Sequence, residues 1–563
     1  MRLIPGASFV AVGAVIATWL MVTDEIALRL QLTRWQFWML EAQSVLFSVL
    51  AWRNLPRFVR SLRLERSAVL TAAGASVLAF VLVGAVAPRT NRIYFDEHIY
   101  EGVAQNLTDL RLAQMCTDGA VEQGSLECWR GLYNKEPYGY PYLLSVAYRL
   151  FGVHESSAHR LNLLCAVLLV WVVFLTASAL FEASGAGAFA AVVMALVPQH
   201  ILWSHTAAAE PSAALMSAVG VMAALHHTRE KSTESLLWMV VAGAFAVQFR
   251  PESVLLLPMM ALVVALYAPV ELRRARLWSA AALGLGLCAL HVGHFAAVRG
   301  DHWGSAGPAL SVGHLWPNLR VNGLFYLENG RFPALYSVLA FLGLTARPAK
   351  PAAAPAAWFL LFWGVFLFFY AGSYDFGADV RFSLMSHAPL AMLAGRGAWW
   401  LRDVATRAGL RGASTAIGLA LGVQFLWFMP QVRAVGEEAW AARADVAFTK
   451  RVIAELPPNS VVLTHTPSIF LVNGVGAAQM SLVSEDPIYV TSTLSRRYAG
   501  GVYLHWDVWC GYGDPVHQES CEATLRSFSS DLFREYRERD YRYAFYRLQT
   551  EGTVLKTEPG PQP

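Results

Sequence analysis

A chain whose apolar runs approach about 20 residues, again and again, has few folds open to it, because backbone polar groups facing lipid must pair within helices or closed barrels. Runs of this kind lie near residues 6–23, 35–52, 67–87, 160–181, 186–201, 211–226, 236–249, 253–270, 278–298, 333–346, 355–371, 384–398 and 413–430. Several are short, and together they make about 13 candidate spanning helices. Of the 563 residues, 56% are hydrophobic and only 15% charged, against about 25% charged in soluble domains. That balance excludes an ordinary cytosolic enzyme. A net charge of +4 from 44 basic and 40 acidic residues offers no electrostatic case for nucleic acid. The first run lacks a small-residue cleavage site and leads directly into further runs, so it reads as a span and not as a signal peptide.

Basic residues test this topology, since they collect on the cytoplasmic side of short loops. Loops rich in Lys and Arg occur at 53–66, 226–231, 271–276, 347–350 and 402–411. With a cytoplasmic N-terminus and the spans above, all five fall inside. The same count sends loops 88–159, 299–332 and 372–383 outward, along with everything after residue 430.

Cysteine placement agrees. Cys165 and Cys288 lie within predicted spans, where a thiol serves as a small hydrophobe. The other four form two close pairs, Cys116 with Cys128 and Cys510 with Cys521, all in outward segments. Disulfides persist in oxidising compartments. Metal ligation is the other reading, although neither pair has the two-residue spacing of a zinc knuckle. Beyond Pro430 the chain turns amphipathic and charged. A helix-like stretch at 436–455, a strand-like Val461-Val462-Leu463 and a strand-like run from Tyr541 to Leu548 predict a small α/β domain. The division expected is a transmembrane part, 1–430, with its first outer loop at 88–159, and an extracytoplasmic domain, 431–563.

Ionisable residues at the ends of spans are costly and mark candidate chemistry. Phe95-Asp96-Glu97-His98 opens the first outer loop, followed by apolar residues at helical spacing. Asp96 is either a catalytic carboxylate or the cap of that helix, for which Asp is well suited. Glu210, before Pro211, is either a second functional acid or a first-turn carboxylate favoured by the helix dipole. Three cations face the same side: Lys135, Arg250 before Pro251-Glu252, and Arg381 within Asp379-Val380-Arg381-Phe382. Outward arginines want partners. Glu252 or Asp379 would supply a local ion pair, and a lipid-borne phosphate is the alternative. His205 is a further candidate for holding a phosphate or an acid. His291 and His294, three apart, share a helix face, and polar packing is favoured over metal ligation because further ligands are missing.

Taken in order and on one side of the membrane, these elements resemble the C-type glycosyltransferase superfamily, whose members take a sugar from a polyprenyl-phosphate carrier. The resemblance is to the protein O-mannosyltransferase and lipid A aminoarabinose transferase branch, and covers roughly residues 67–400. It rests on Tyr94-Phe95-Asp96-Glu97 at the first outer loop and on Lys135-Glu136-Pro137-Tyr138-Gly139-Tyr140-Pro141 entering the next helices. Glu210-Pro211, Arg250-Pro251-Glu252 and Arg381-Phe382 ahead of Pro389 complete it. Two departures stand out: two additional spans precede the acidic loop, and Glu136 occupies the first Pro position of the Lys-Pro-Pro-like segment. Trp506-Asp507-Val508-Trp509-Cys510-Gly511-Tyr512-Gly513 has a broken likeness to the oligosaccharyltransferase signature.

The resemblance implies a polytopic α-helical fold and an inverting transfer in a bacterial inner membrane, on its periplasmic face. Asp96 would be the general base with Glu97 as the fallback. Glu210 would position the acceptor or join Asp96 around a divalent ion; metal use is left open and no other cofactor is implied. Arg381, Lys135, Arg250 and His205 would hold the donor phosphate. The partners implied are the bilayer, a polyprenyl-phosphate sugar and an acceptor that is a protein, a glycolipid or a polysaccharide. Two rival readings remain. A transporter or flippase of lipid-linked sugar would normally show paired halves, and none is visible; the other rival is an inactive scaffold.

Overall fold

The structure is a computed structural model that describes residues 6–93, 95–301, 307–328, 330–375, 379–436, 440–511 and 515–550. The apolar runs are largely helical. Among them are Ala7–Val22, Glu25–Ser61, Arg66–Val81, Glu155–Phe181, Glu210–Glu230, Leu384–Arg407 and Ala413–Gly436. Among the described residues, however, 3 helices are individually long and apolar enough to cross a bilayer, or 4 if Ala275–Leu287 and Ala289–Ala297, bent by 47°, form one span. Other runs fold as shorter apolar helices, such as Ala7–Val22, Thr233–Ala246 and Ala334–Thr345, so length and composition alone do not fix the expected count of about 13 spans, several of them short. The physical reason is breakage: the run at 186–201 is divided at Leu196-Val197 ahead of Pro198, and that at 253–270 begins as a 3-10 turn, Pro251–Leu255.

Two compact units interleave along the chain. The first comprises Met1–Arg89, Lys135–Tyr142 and His159–Glu438; the second comprises Thr90–Asn134, Leu143–Ala158 and Ala439–Pro563. This division differs from a single cut at residue 430, because most of the first outer loop folds with the C-terminal segment.

In the first unit, buried amides bind the long second helix to its neighbours. Gln36 Nε2 donates to Gln248 Oε1 at 3.0 Å, Gln248 Nε2 to Gln43 Oε1 at 2.6 Å, and Gln43 Nε2 to the Leu287 carbonyl at 2.7 Å. A buried amide left unpaired is costly, so such a chain of hydrogen bonds fixes helix register more firmly than apolar contact alone. The second of the two N-terminal helices absent from the expected family pattern is in this way tied to Gln248, two residues before Arg250.

The second unit is built on one seven-stranded sheet. Its strands are β1 (Met115–Glu122), β2 (Ser125–Leu132), β3 (Ser460–Thr464), β4 (Gly476–Gln479), β5 (Gly501–Trp506), β6 (Ser529–Glu538) and β7 (Tyr541–Gln549), in the order β2-β1-β4-β3-β5-β7-β6. β3 runs parallel to both β4 and β5, and the remaining pairs are antiparallel. The β1–β2 hairpin turns at Gln123 (φ 53°) and Gly124 (φ 83°). Left-handed values at both turn positions match the twist of the strands, which makes a two-residue connection the favoured one. Cys116–Cys128 fastens this hairpin, and Cys510–Cys521 joins Val508–Gly511 to the helix Pro515–Ser527.

Alternation along β3 divides the core. Val461 and Leu463 face a cluster with Val502, Leu504, Met480 and Leu548, whereas Val462 faces Phe470, Tyr503, Phe545 and the helix Trp440–Ile453 through Phe448 and Val452. The helix and strands expected from the sequence at 436–455, 461–463 and 541–548 appear at 440–453, 460–464 and 541–549. The hairpin's place in this sheet had no sequence signal, since the partner strand lies more than 340 residues away.

Candidate active site

In the first unit the cations converge on a carboxylate. Glu210 opens the helix Glu210–Glu230 with Pro211 in its first turn, and is fully buried at 0% exposure. Its Oε1 lies 3.0 Å from Arg250 Nη1 and 3.4 Å from Arg381 Nε. Arg250 also pairs with Glu252 at 3.1 Å. Both guanidinium groups lie over the Phe382 ring, at 5.4 and 5.1 Å from its centroid, and Phe382 stacks on Phe366 at 4.6 Å. Arginine's planar cation suits such a face and tolerates burial better than an ammonium. The local partner foreseen for Arg250, Glu252, is present; the Asp379 side chain lies outside the described residues.

The loop leading to Glu210 is held by a residue that the sequence did not single out. Asn162, fully buried, donates from Nδ2 to the carbonyls of Thr206 and Ala208, each at 2.8 Å. The Lys135 segment is held just as closely. The Gly139 N–H donates to the Gln248 carbonyl at 2.8 Å, and a Cβ at Gly139 would stand 2.5 Å from that oxygen. His294 Nε2–H donates to the Lys135 carbonyl at 3.1 Å, and the His294 ring meets Tyr138 edge-on. The segment is thereby fixed to the backbone that carries Arg250. His291, buried, lies against Phe295 and parallel to His294. This is the packing arrangement.

His205 takes another place. Its Nδ1–H donates to the Ala87 carbonyl at 3.0 Å, and its ring meets that of His159, which accepts a hydrogen bond from Arg89 at 3.2 Å. Among the described residues its contacts thus run to the end of the third helix and to His159.

In the second unit the first-loop acids separate by role. The cap position of the helix Asp96–Asp109 is Phe95, without a side-chain cap, so Asp96 is the first helical residue and not the cap. It is half-buried, at the helix end where the backbone dipole favours a carboxylate. Glu97 is wholly buried, and its Oε1 accepts the backbone N–H groups of Arg92 and Ile93 at 2.9 and 3.0 Å. That is a loop-holding role. Behind it lies a buried pair that the sequence did not flag. His98 Nδ1 is 3.1 Å from Glu101 Oε2, and Asn91 Nδ2 donates to the same carboxyl oxygen at 3.1 Å. Burial pushes the His98 imidazole down to about 4, and burial with Glu155 nearby holds the Glu101 carboxyl well above its ordinary value. His98 is accordingly neutral near pH 7. Tyr94 lies outside the described residues.

Asp96 and Glu210 belong to different units. Among the described residues, potential metal ligands gather instead at His465, Asp507, Cys510 and Cys521, whose ligand atoms lie within 4.8 Å of one another. With the two sulfurs joined in a disulfide, that set lacks the thiolates a metal would need.

Residues 135–294 match the family described as dolichyl-phosphate-mannose-protein mannosyltransferase. ArnT from Cupriavidus metallidurans in its apo state shares 16% identity at a TM-score of 0.50, over 85% of this chain and 97% of that one. The same protein bound to undecaprenyl phosphate gives 16% and 0.52, over 88% and 99%. The chain has the C-type glycosyltransferase fold. AglB, an archaeal oligosaccharyltransferase from Archaeoglobus fulgidus, also matches at 12% identity and a TM-score of 0.50, over 87% of this chain and 75% of that one. No curated protein matches in sequence. The C-type resemblance drawn from Asp96-Glu97, Lys135, Glu210, Arg250 and Arg381 thus holds in the fold, and the matched family segment begins at Lys135 and contains Glu210 and Arg250.

Proposed function

We propose that the protein is a membrane glycosyltransferase that moves a sugar from a polyprenyl-phosphate carrier to an acceptor hydroxyl at the outer, periplasmic face of a bacterial inner membrane. The observation that carries this reading is the buried pair Arg250 and Arg381 sharing Glu210 over Phe382. It occurs in a fold that ArnT presents with undecaprenyl phosphate bound. Two guanidinium groups held in place before the ligand arrives are what a developing phosphate charge requires.

In the proposed step the acceptor oxygen attacks the anomeric carbon while Asp96 takes the hydroxyl proton. The bond from that carbon to the phosphate oxygen breaks, and its electron pair leaves with the phosphate, whose charge rises from about −1 to about −2. Arg381 and Arg250 receive that charge, and Lys135 is the third candidate cation. One displacement inverts the anomeric centre, so no covalent sugar–enzyme bond is needed. Glu210 orients the arginines, and Glu97 keeps the loop before Asp96 in shape. His205 packs at the end of the third helix, where it donates to the Ala87 carbonyl.

The test is binding of undecaprenyl phosphate against undecaprenol to purified protein in nanodiscs. Wild type should prefer the phosphate, and Arg381→Gln should lose most of that preference, by about tenfold or more. Equal binding of both lipids by wild type would refute the phosphate assignment.

A further inference from the structure

The second unit contains two buried His–Asp pairs, and they are not equivalent. His505 has both ring nitrogens engaged: Nε2 faces Asp445 at 3.0 Å and Thr449 at 3.2 Å, and Nδ1 faces Thr464 at 3.2 Å. The second oxygen of Asp445 accepts the Val508 N–H at 2.9 Å. This network is closed, as a structural one should be.

His465 is left half-used. Its Nδ1 lies 3.2 and 3.1 Å from the two oxygens of Asp507, and Asp507 Oδ1 also accepts the N–H groups of Trp509 and Cys510 at 3.0 and 3.2 Å. An anchored carboxylate of this kind fixes the imidazole with its proton on Nδ1 and a bare lone pair on Nε2. Among the described residues that Nε2 has no hydrogen-bond partner, although His465 is only 5% exposed.

The position is informative. His465 directly follows β3 and Asp507 directly follows β5, adjacent parallel strands, so the pair stands at the carboxyl edge where open α/β sheets hold ligands. Gln479, the last residue of β4, donates from Nε2 to the His465 carbonyl at 3.4 Å, and its Oε1 is buried without a partner. Thr466 Oγ1 on the same edge is likewise unpartnered. Aromatic rings border the group: His517 at 4.8 Å from His465, Trp509 at 5.6 Å from His517, and Phe95, the neighbour of Asp96, at 6.3 Å from Trp509.

We infer that this edge is a carbohydrate subsite, in which His465 Nε2 accepts the hydrogen of a sugar hydroxyl. Gln479 Oε1 accepts a second, the Thr466 hydroxyl completes the polar contacts, and Trp509 with His517 lies against the sugar's apolar face. Two bare acceptors beside a carboxylate select a ligand that donates hydrogen bonds and disfavour an anion. The inference deepens the transferase reading by giving the second unit the sugar that is glycosylated or transferred. Its test is one of binding, so that it fails or succeeds apart from turnover.

The experiment uses the full chain in nanodiscs. Methyl glycosides of the common hexoses are titrated by saturation-transfer NMR, and an undecaprenyl-phosphoryl hexose is titrated in parallel. Wild type should bind at least one probe. His465→Phe, which keeps a ring and removes the acceptor, should weaken that binding by about tenfold with little change in melting temperature, and His465→Gln should recover part of it. An effect on the methyl glycosides places an acceptor sugar here, and an effect confined to the lipid-linked probe places the donor sugar; either supports the subsite. Gln479→Leu reads the same ligand should His465→Phe fail to fold. Equal binding by wild type and both variants would overturn the inference, as would no binding at all. Zinc that copurifies with wild type and is lost in His465→Phe would overturn it in favour of a metal site. Sugar binding that depends on His465 in a protein releasing no polyprenyl phosphate would keep the subsite and refute the transferase.

Discussion

Glu210→Gln is the most informative single substitution, because it removes one charge from a buried cluster while keeping its shape. Breaking a buried ion pair by removing one partner costs about 3–5 kcal/mol. Arg250 retains Glu252 at 3.1 Å, which brings the expected loss to the lower end, about 3 kcal/mol. Glu252→Gln should cost less, about 1.5 kcal/mol, since Glu210 still holds Arg250 at 3.0 Å. Melting of the detergent-purified protein should therefore rank wild type above Glu252→Gln and that above Glu210→Gln. Added undecaprenyl phosphate should raise the melting point of Glu210→Gln more than that of wild type, because its arginines have lost a competing carboxylate. An unchanged melting point for Glu210→Gln, or a larger effect at Glu252, would refute the view that Glu210 organises the two arginines.

Three further outcomes are expected. Gly139→Ala should reduce turnover by about tenfold or more, because its Cβ would stand 2.5 Å from the Gln248 carbonyl oxygen and push the Lys135 segment away; a fully active variant would contradict this. Replacing Cys116 and Cys128 together by Ser should lower the stability of the second unit by about 3 kcal/mol, the chain-entropy value for a loop of this size, read as faster proteolysis of the β1–β2 hairpin under native conditions. The third concerns pH. Burial opposes a charge on His505, but Asp445 and then Asp507 overcome it, so its folded-state value is raised. Its contribution to stability is complete below about pH 6.5 and is lost as pH rises through the folded value. Asp445→Asn should flatten that alkaline decline in thermal stability, and an equal slope in both proteins would sink the assignment.

Much of the first unit was legible because lipid-facing helices need long apolar runs, and the charges that interrupt them are few enough to inspect singly. Glu210, Arg250 and Arg381 stood out for that reason. Their pairing did not, since residues 40 and more than 130 apart in sequence meet only through helix packing. The sequence treated Glu210 as a companion of Asp96, but burial between two arginines gives it another partner. Glu97 looked like a reserve base; only the backbone geometry of Arg92 and Ile93 reveals that its carboxylate is already engaged. His465 and Asp507 were invisible as a pair because parallel strands from distant segments bring them together. One local signal was available: each directly follows an apolar strand-like run, at the strand end where α/β sheets bind ligands.

The central claim is tested most directly by measuring free polyprenyl phosphate released from a panel of polyprenyl-phosphate sugars, in wild-type and Asp96→Asn membranes supplied with the cell's own acceptors. Release by wild type alone, from one donor of the panel, is the expected result, with Asp96→Asn retaining its fold and its lipid binding. Equal release by both proteins would remove Asp96 as the base, and no release by well-folded wild type from any donor would contradict the transferase itself.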